Sequence, residues 1–175
     1  LEQFDSIDYL KLGHLRQVTA YNALTRHKVM ELLSGYTPLL AGTIPIGIDV
    51  DTSDLDILCC WHDKETFINI LTDSFTGKKG FVLKDYSING VPTVKANFYI
   101  DSFEAEIFGQ NIPVKEQYGY RHMIIEHKIL EYKGIEFRKE IIRLKSQGIK
   151  TEPAFAMLLG LEGNPYEALL DYKTG

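Results

Sequence analysis

Cysteine is scarce in this sequence, and the two present, Cys59 and Cys60, are neighbours. Successive strand side chains point to opposite faces, so a bridge between adjacent residues is strained. The disulfide-stapled secreted class is therefore excluded, and a reducing compartment is expected, with two free thiols of which one faces the core. An apolar run near the ~20 residues of a membrane span is also missing. The first residues, Leu1-Glu2-Gln3-Phe4-Asp5, lack the basic start and apolar middle of a secretory signal. The chain begins without Met, which leaves room for residues upstream. Internal repeats and low-complexity segments are absent as well. A cytoplasmic protein with no membrane association is the expectation.

What is present describes an ordinary folded protein. Hydrophobic residues make up 45% and charged residues 25% of 175 residues, enough for one domain with a core and little room for a second. We therefore expect a single domain over residues 1–175, with a core at about 15–110 and a helical segment at about 111–175. The net charge of −5 disfavours a long nucleic acid as partner. Charge is uneven: residues 1–110 hold 9 Lys and Arg against 15 Asp and Glu, whereas residues 111–150 hold 9 against 5. That asymmetry suits a site whose metal ligands and phosphate-binding cations come from different elements, and equally suits solvated helices of mixed charge.

Hydrophobic spacing predicts a helix over 15–33, with Leu15, Val18, Tyr21, Leu24, Val29 and Leu32 on one face and Ser34-Gly35 ending it in a left-handed cap. Residues 37–42 form a short apolar run bounded by turn formers, and 54–61 a second strand. Asp63 caps a helix over Lys64 to about Ser74. Two β-rich runs, 81–88 and 91–100, flank Asn89-Gly90, the signature of a two-residue type I′ hairpin. Asp101-Ser102 makes another turn before a strand from Phe103 to Phe108. Helices follow at 118–132 and 135–147, then a short one from Thr151 to Gly160. A last helix opens at Asn164-Pro165. The order implies an α+β fold: a mixed sheet covered by helices on at least one face, then a helical C-terminal segment.

The chemistry gathers in Ser53-Asp54-Leu55-Asp56-Ile57. On a strand, Leu55 and Ile57 enter the core while both carboxylates share the other face, about 6–7 Å apart. Hard oxygen ligands at that separation can share Mg²⁺ together with substrate phosphates, although acid–apolar–acid is also the usual solvated strand face. Gly42-Thr43 upstream offers close backbone approach and a hydroxyl to a phosphate. Downstream, Glu104 and Glu106 alternate with Phe103, Ala105 and Ile107, so a third carboxylate can reach the first two across strands. Three such groups repel one another unless a cation joins them.

Gly42-Thr43, ten residues, Asp54-Leu55-Asp56, then an acid between apolar residues on a later strand resembles the polymerase-β-type nucleotidyltransferase superfamily, over about residues 37–109. Thr43 stands where that pattern usually has Ser or Gly, but keeps a hydroxyl. Glu106 best fits the third acid, with Glu104 as the alternative. The whole chain, including Lys150-Thr151-Glu152-Pro153-Ala154-Phe155-Ala156, also resembles a bacterial family of unknown function within that superfamily. The resemblance implies that Asp54, Asp56 and Glu106 bind two Mg²⁺ ions, or Mn²⁺ in their place, and that Glu106 helps deprotonate an acceptor hydroxyl. It further implies that Gly42, Thr43 and Ser53 hold the phosphates of a nucleoside triphosphate.

Other candidates are weaker. Lys95 alternates with Thr93 and Asn97 on the hairpin and can face the site if the register allows. Arg121, in the turn that opens the helix at Tyr118, could bind triphosphate or acceptor, or be an exposed surface Arg. His122 and His127 are five apart, not the four of a helical zinc pair. His62 reads as the end of its strand, and Arg138, Lys139, Arg143 and Lys145 as a solvated helix face. Three functions remain: a nucleotidyltransferase acting on a hydroxyl of a small molecule or protein, a non-catalytic nucleotide-binding module working with a protein partner, or a two-metal phosphohydrolase.

Overall fold

The computed structural model describes residues 2–173. Its centre is a mixed sheet ordered β1-β2-β5-β4-β3, built from β1 (Leu39–Ala41), β2 (Leu55–Cys60), β3 (Val82–Ile88), β4 (Val91–Ile100) and β5 (Phe103–Gln110). β2 and β5 run parallel; the other neighbours are antiparallel. The parallel pair requires a crossover, supplied by α3 (Lys64–Phe75) and the β3–β4 hairpin. Asn89 (φ 50°) and Gly90 (φ 82°) take the two left-handed positions of the hairpin, which fixes Ile88 opposite Val91. The fold is the α+β arrangement expected from the sequence.

One face of the sheet carries the larger core. Leu55, Ile57, Cys59, Val94, Ala96, Phe98, Ala105 and Ile107 pack there against Ala20, Ala23 and Leu24 of α1 (Leu15–Arg26) and Phe67, Leu71 and Phe75 of α3. Asp63 accepts a hydrogen bond from the Glu65 N–H at 3.1 Å and caps α3, an interaction worth ~1 kcal/mol. The opposite face is only partly covered. Helices α4 (Tyr118–Lys133), α5 (Ile135–Ser146), α6 (Thr151–Leu159) and α7 (Pro165–Leu170) share a second cluster with Ala41 and Leu58, at the β1–β2 side. The buried Gln117 amide ties that layer to the sheet by donating to the carbonyls of Cys59 and Ile112, both at 2.9 Å. No helix among the described residues is long and apolar enough to cross a membrane. Both cysteines are free, Cys59 buried and Cys60 half-buried.

The first helix departs from expectation. It breaks after Arg26, because Lys28 adopts a left-handed φ of 54°, and resumes for one turn as α2 (Val29–Leu32). The break sets His27 Nε2 2.9 Å from Asp101 Oδ1, beside an Arg26–Asp101 ion pair at 3.1 Å. Leu15 is 84% exposed and Leu32 41%; the buried stripe is Gln17, Ala20, Ala23 and Leu24. Nor does Gly35 take the left-handed position. Thr37 does, at φ 48°.

Gly109 lies where β5 passes beneath α3, and a Cβ there would stand 2.2 Å from the Phe67 ring and 3.0 Å from Trp61. Gly109→Ala is expected to cost about 1–3 kcal/mol through overpacking. Urea denaturation monitored by circular dichroism measures it; an unchanged midpoint would mean that this contact is slack.

Candidate functional site

β2 and β5 pair in parallel with Asp56 opposite Glu106, and β1 sets Ala41 opposite Asp56. Because Leu55 and Ile57 fill the main core, Asp54 and Asp56 must lie on the other face, where Glu104 and Glu106 join them. Asp54, Asp56 and Glu106 line one cleft of about 800 Å³, between the uncovered sheet and the α4–α6 layer. Gly42, at the end of β1 with φ 78°, is packed against Asp56: a Cβ there would lie 2.1 Å from Asp56 Oδ2. Here glycine is required twice, by the backbone angle and by the carboxylate.

Thr43 and Ser53 meet across the intervening loop. Thr43 Oγ1 donates to Ser53 Oγ at 3.1 Å, and the Val50 N–H donates to the same oxygen at 2.9 Å. With both lone pairs of Ser53 Oγ engaged, its own hydroxyl proton is left to donate, and Ser53 lines the cleft. The loop is held from behind. Gln17 donates to the Ile44 carbonyl at 2.7 Å, and Arg16 donates to the carbonyls of Ser53 at 2.7 Å and Asp51 at 3.0 Å. Arg138 donates to the Ile46 carbonyl from α5.

Electrostatics set the character of the site. Burial, then the charges of Asp54 and Glu106, push the Asp56 carboxyl up to about 8. Burial likewise raises Asp54, helped by Glu106 and Glu104. Lys95 Nζ donates to Glu106 Oε2 at 2.6 Å, and Asn97 donates to Glu104 at 3.1 Å and Glu106 at 3.3 Å. Burial works against the Lys95 charge, but the Glu106 contact outweighs it and raises the lysine pKa. Among the described residues no three His, Cys, Asp or Glu side chains are gathered to hold a metal ion as they stand. The chemistry nonetheless fits a divalent cation at Asp54 and Asp56, whose neighbouring charges are uncompensated, with Glu106 available once it leaves Lys95.

Gly42, Thr43, Ser53, Asp54, Asp56 and Glu106 thus share one cleft, and Lys95 joins through Glu106. Glu106 stands opposite Asp56, and Glu104 lies two residues further along β5 towards Asp54. Arg121 is elsewhere. It is exposed on the far side of α4, its guanidinium 5.5 Å from the Tyr118 ring centroid, beside a shallow basic dent with Lys115 and Lys128. His122, Met123 and Glu126 face the cleft instead, one to five residues on around the helix. The expected solvated face of α5 is half right. Lys139 and Arg143 are exposed and pair with Glu136 and Glu140, whereas Arg138 clamps the loop and Lys145 lines the cleft. A signal for the missed residues existed: Glu126 falls in the stripe Met123–Ile129–Leu130, and Lys145 follows Ile141 by four positions.

The architecture is similar in fold to that of solved nucleotidyltransferases. Over 72% of its length the chain is similar to a Cid1 poly(U) polymerase structure with MgGTP bound, at 12% identity and a TM-score of 0.53, covering 40% of that chain. A cytoplasmic RNA terminal U-transferase matches over 73% of this chain and 39% of its own, at 13% identity and a TM-score of 0.52. The GLD-2/RNP-8 complex matches over 87% and 57%, at 14% identity and a TM-score of 0.51. At these identities the likeness is one of fold, and this chain spans roughly two fifths to three fifths of the solved chains. Residues 22–172 match DUF4269, a domain of unknown function, and the chain belongs to that family. No curated protein matches it.

The Asp56 pKa carries a sign for stability. In the unfolded chain this group loses its proton near the ordinary aspartate value of 3.8, in the folded cation-free chain only at about 8. The folded state therefore holds the extra proton in between, and stability falls as pH rises through that window. Urea midpoints at pH 5 and pH 7.5 in EDTA should show the decline, and Asp56→Asn should flatten it. A slope unaltered by the substitution would place the titration elsewhere.

Proposed function

We infer that this protein is a nucleotidyltransferase, moving a nucleoside monophosphate from a nucleoside triphosphate to a hydroxyl of a small molecule or protein. The observation that carries the reading is the convergence of Asp54, Asp56 and Glu106 on one cleft with Gly42, Thr43 and the free Ser53 hydroxyl proton. The Gly42 turn lets backbone approach a phosphate, and Ser53, its oxygen held by Thr43, supplies one hydroxyl donor beside it. Asp54, Asp56 and Glu106 would hold two Mg²⁺ ions, or Mn²⁺, which when bound neutralise the leaving pyrophosphate and make the acceptor oxygen more acidic.

The chain's own groups do the rest. Glu106, released from Lys95, takes the acceptor's hydroxyl proton. The acceptor oxygen forms its bond to the α-phosphorus as the bond from that phosphorus to the α–β bridging oxygen breaks, and pyrophosphate leaves with the electron pair. Lys95, freed from Glu106, is a cation at the same edge for the phosphates. Net charge of −5 favours a small or protein acceptor. Solved proteins of this fold include a poly(U) polymerase and an RNA terminal U-transferase, so an RNA end belongs in the acceptor panel.

Incubation with α-labelled triphosphates and Mg²⁺ tests the reading. Pyrophosphate release with label on an acceptor supports it. Free monophosphate would instead favour a phosphohydrolase, and binding without turnover a nucleotide-binding module, the outcome consistent with Glu106 staying on Lys95. Asp54→Asn should abolish Mg²⁺-dependent nucleotide binding and leave the fold as stable or slightly more so, since it removes like-charge repulsion. Unfolding of that variant would make Asp54 structural.

A further inference from the structure

The register of the sheet carries the site out towards its free edge. Ala41, Asp56, Glu106, Asn97 and Val82 stand opposite one another in turn, one row across β1, β2, β5, β4 and β3. Gly42 follows Ala41 at one end of that row, the free edge of β3 forms the other end, and the carboxylates lie between. Phe108, Lys95 and Lys84 make the next row on the same face, two residues along. The helical layer covers the β1–β2 side, so over β3 and β4 this face is open, and Val82, Tyr86 and Tyr99 are exposed on it. Lys84 and Lys95 are directly opposite, a pairing of like charges that costs a sheet stability. Lys95 is occupied by Glu106 at 2.6 Å, and the neighbouring acid Asp85 by Lys64 at 2.7 Å. Lys84 is exposed and makes no ion pair or hydrogen bond among the described residues. A lysine on an edge strand ordinarily discourages strand addition. This one also shares a face with Glu106, two strand spacings or about 10 Å across the sheet.

We propose that the open face of β3 and β4 is the acceptor site, and that Lys84 selects a small molecule with an anionic group, phosphate or carboxylate, beyond its reacting hydroxyl. This rests on the nucleotidyl-transfer reading above and names the acceptor class that reading leaves open. In-line displacement sets the entering oxygen and the leaving pyrophosphate on opposite sides of the α-phosphorus. In that reading the phosphates are held at Gly42 and Ser53, so the hydroxyl arrives from the β4 side, where Glu106 receives its proton. The body of the acceptor then lies over Asn97 and Val82, in the direction of Lys84. There the unclaimed ammonium offers charge-assisted hydrogen bonds to an anion. The Tyr99 ring, lying over Gly80 where a Cβ would stand 3.0 Å from it, forms a flat flank to the same space. A protein strand added to the free edge of β3 would sit three strand spacings, about 14 Å, from β5, too far for its hydroxyl side chains to reach Glu106. A small molecule lying on the face meets no such gap.

Heteronuclear NMR titration of the full chain with ribose, ribose 5-phosphate and ribonate in Mg²⁺ tests the site. Amide signals of residues 82–86 and 95–99 should move with one or both anions at about tenfold lower concentration than with ribose, and the tighter of the two tells phosphate from carboxylate. Lys84→Glu should weaken that anion by about tenfold or more and Lys84→Arg keep it within about threefold, because charge at this position is what binds. Affinity for Mg²⁺-bound nucleoside triphosphates should stay within about twofold in both variants, since their phosphates lie at the far end of the row. An unchanged thermal midpoint certifies the variants' fold, and the comparison of ribose with its anionic forms needs no variant. Anions that bind no better than ribose, a preference that survives Lys84→Glu, or an equal loss of triphosphate affinity overturns the acceptor site and leaves the nucleotide reading standing. Triphosphates that leave the signals of residues 42–53 unmoved overturn the nucleotide reading, and the acceptor site with it.

Discussion

Like-charge crowding on one face of the sheet is the constraint around which the rest of this structure is arranged. Asp56 and Glu106 lie on the joined strands β2 and β5, with Asp54 just before β2, and burial under the helical layer together with the neighbouring negative charges disfavours the ionised forms of Asp54 and Asp56. Such a face adds nothing to a core. The strands can carry it because their other side is filled by Leu55, Ile57, Ala105 and Ile107 against α1 and α3. Stability and chemistry are separated by the two-residue period of a strand: one set of side chains holds the sheet, the alternate set is available for a task that destabilises it.

The same separation explains what could be read without coordinates. Strand alternation, the Asn89-Gly90 hairpin, the Asp63 and Asn164 caps and the acid–apolar–acid triplet are local features, each decided by a few neighbouring residues, and each stands where its chemistry requires. The cleft's sheet wall was therefore legible. The parallel register that sets Glu106 opposite Asp56 is a long-range pairing that no local pattern fixes.

Long-range placement hid the remainder. The break at Lys28 answers to the His27–Asp101 contact, 74 residues away in sequence. Arg16, Gln17 and Arg138 look like surface residues in the chain, yet their donors satisfy the carbonyls of the loop that presents Ser53. A loop that must hold still beside a ligand has backbone groups that no strand partner satisfies, and polar side chains from other elements take that place. Arg121 was misplaced for a related reason. A helix entry turn shows that backbone donors exist, while the angular position of each side chain follows from the face that packs, here Tyr120, Met123, Glu126 and Leu130.

Lys95 connects these observations. Its ion pair with Glu106 offsets part of the negative charge that burdens Asp56, and Asn97 shares Glu106 with it. Because that contact raises the lysine's pKa, the cation persists across the neutral range and the ligand-free cleft keeps a partial internal counter-ion. Any incoming cation must compete with Lys95 for Glu106, whereas Asp54 and Asp56 have no ion pair among the described residues. Under the proposed function, a cation would attach first at Asp54 and Asp56, and recruitment of Glu106 would require the release of Lys95 towards the negative charge that arrives with the ligand. In that reading a single side-chain exchange on β4 and β5 would link the loss of an internal ion pair to the gain of two external ones, and Glu106 would be withheld until both a cation and an anion were there to replace its partner.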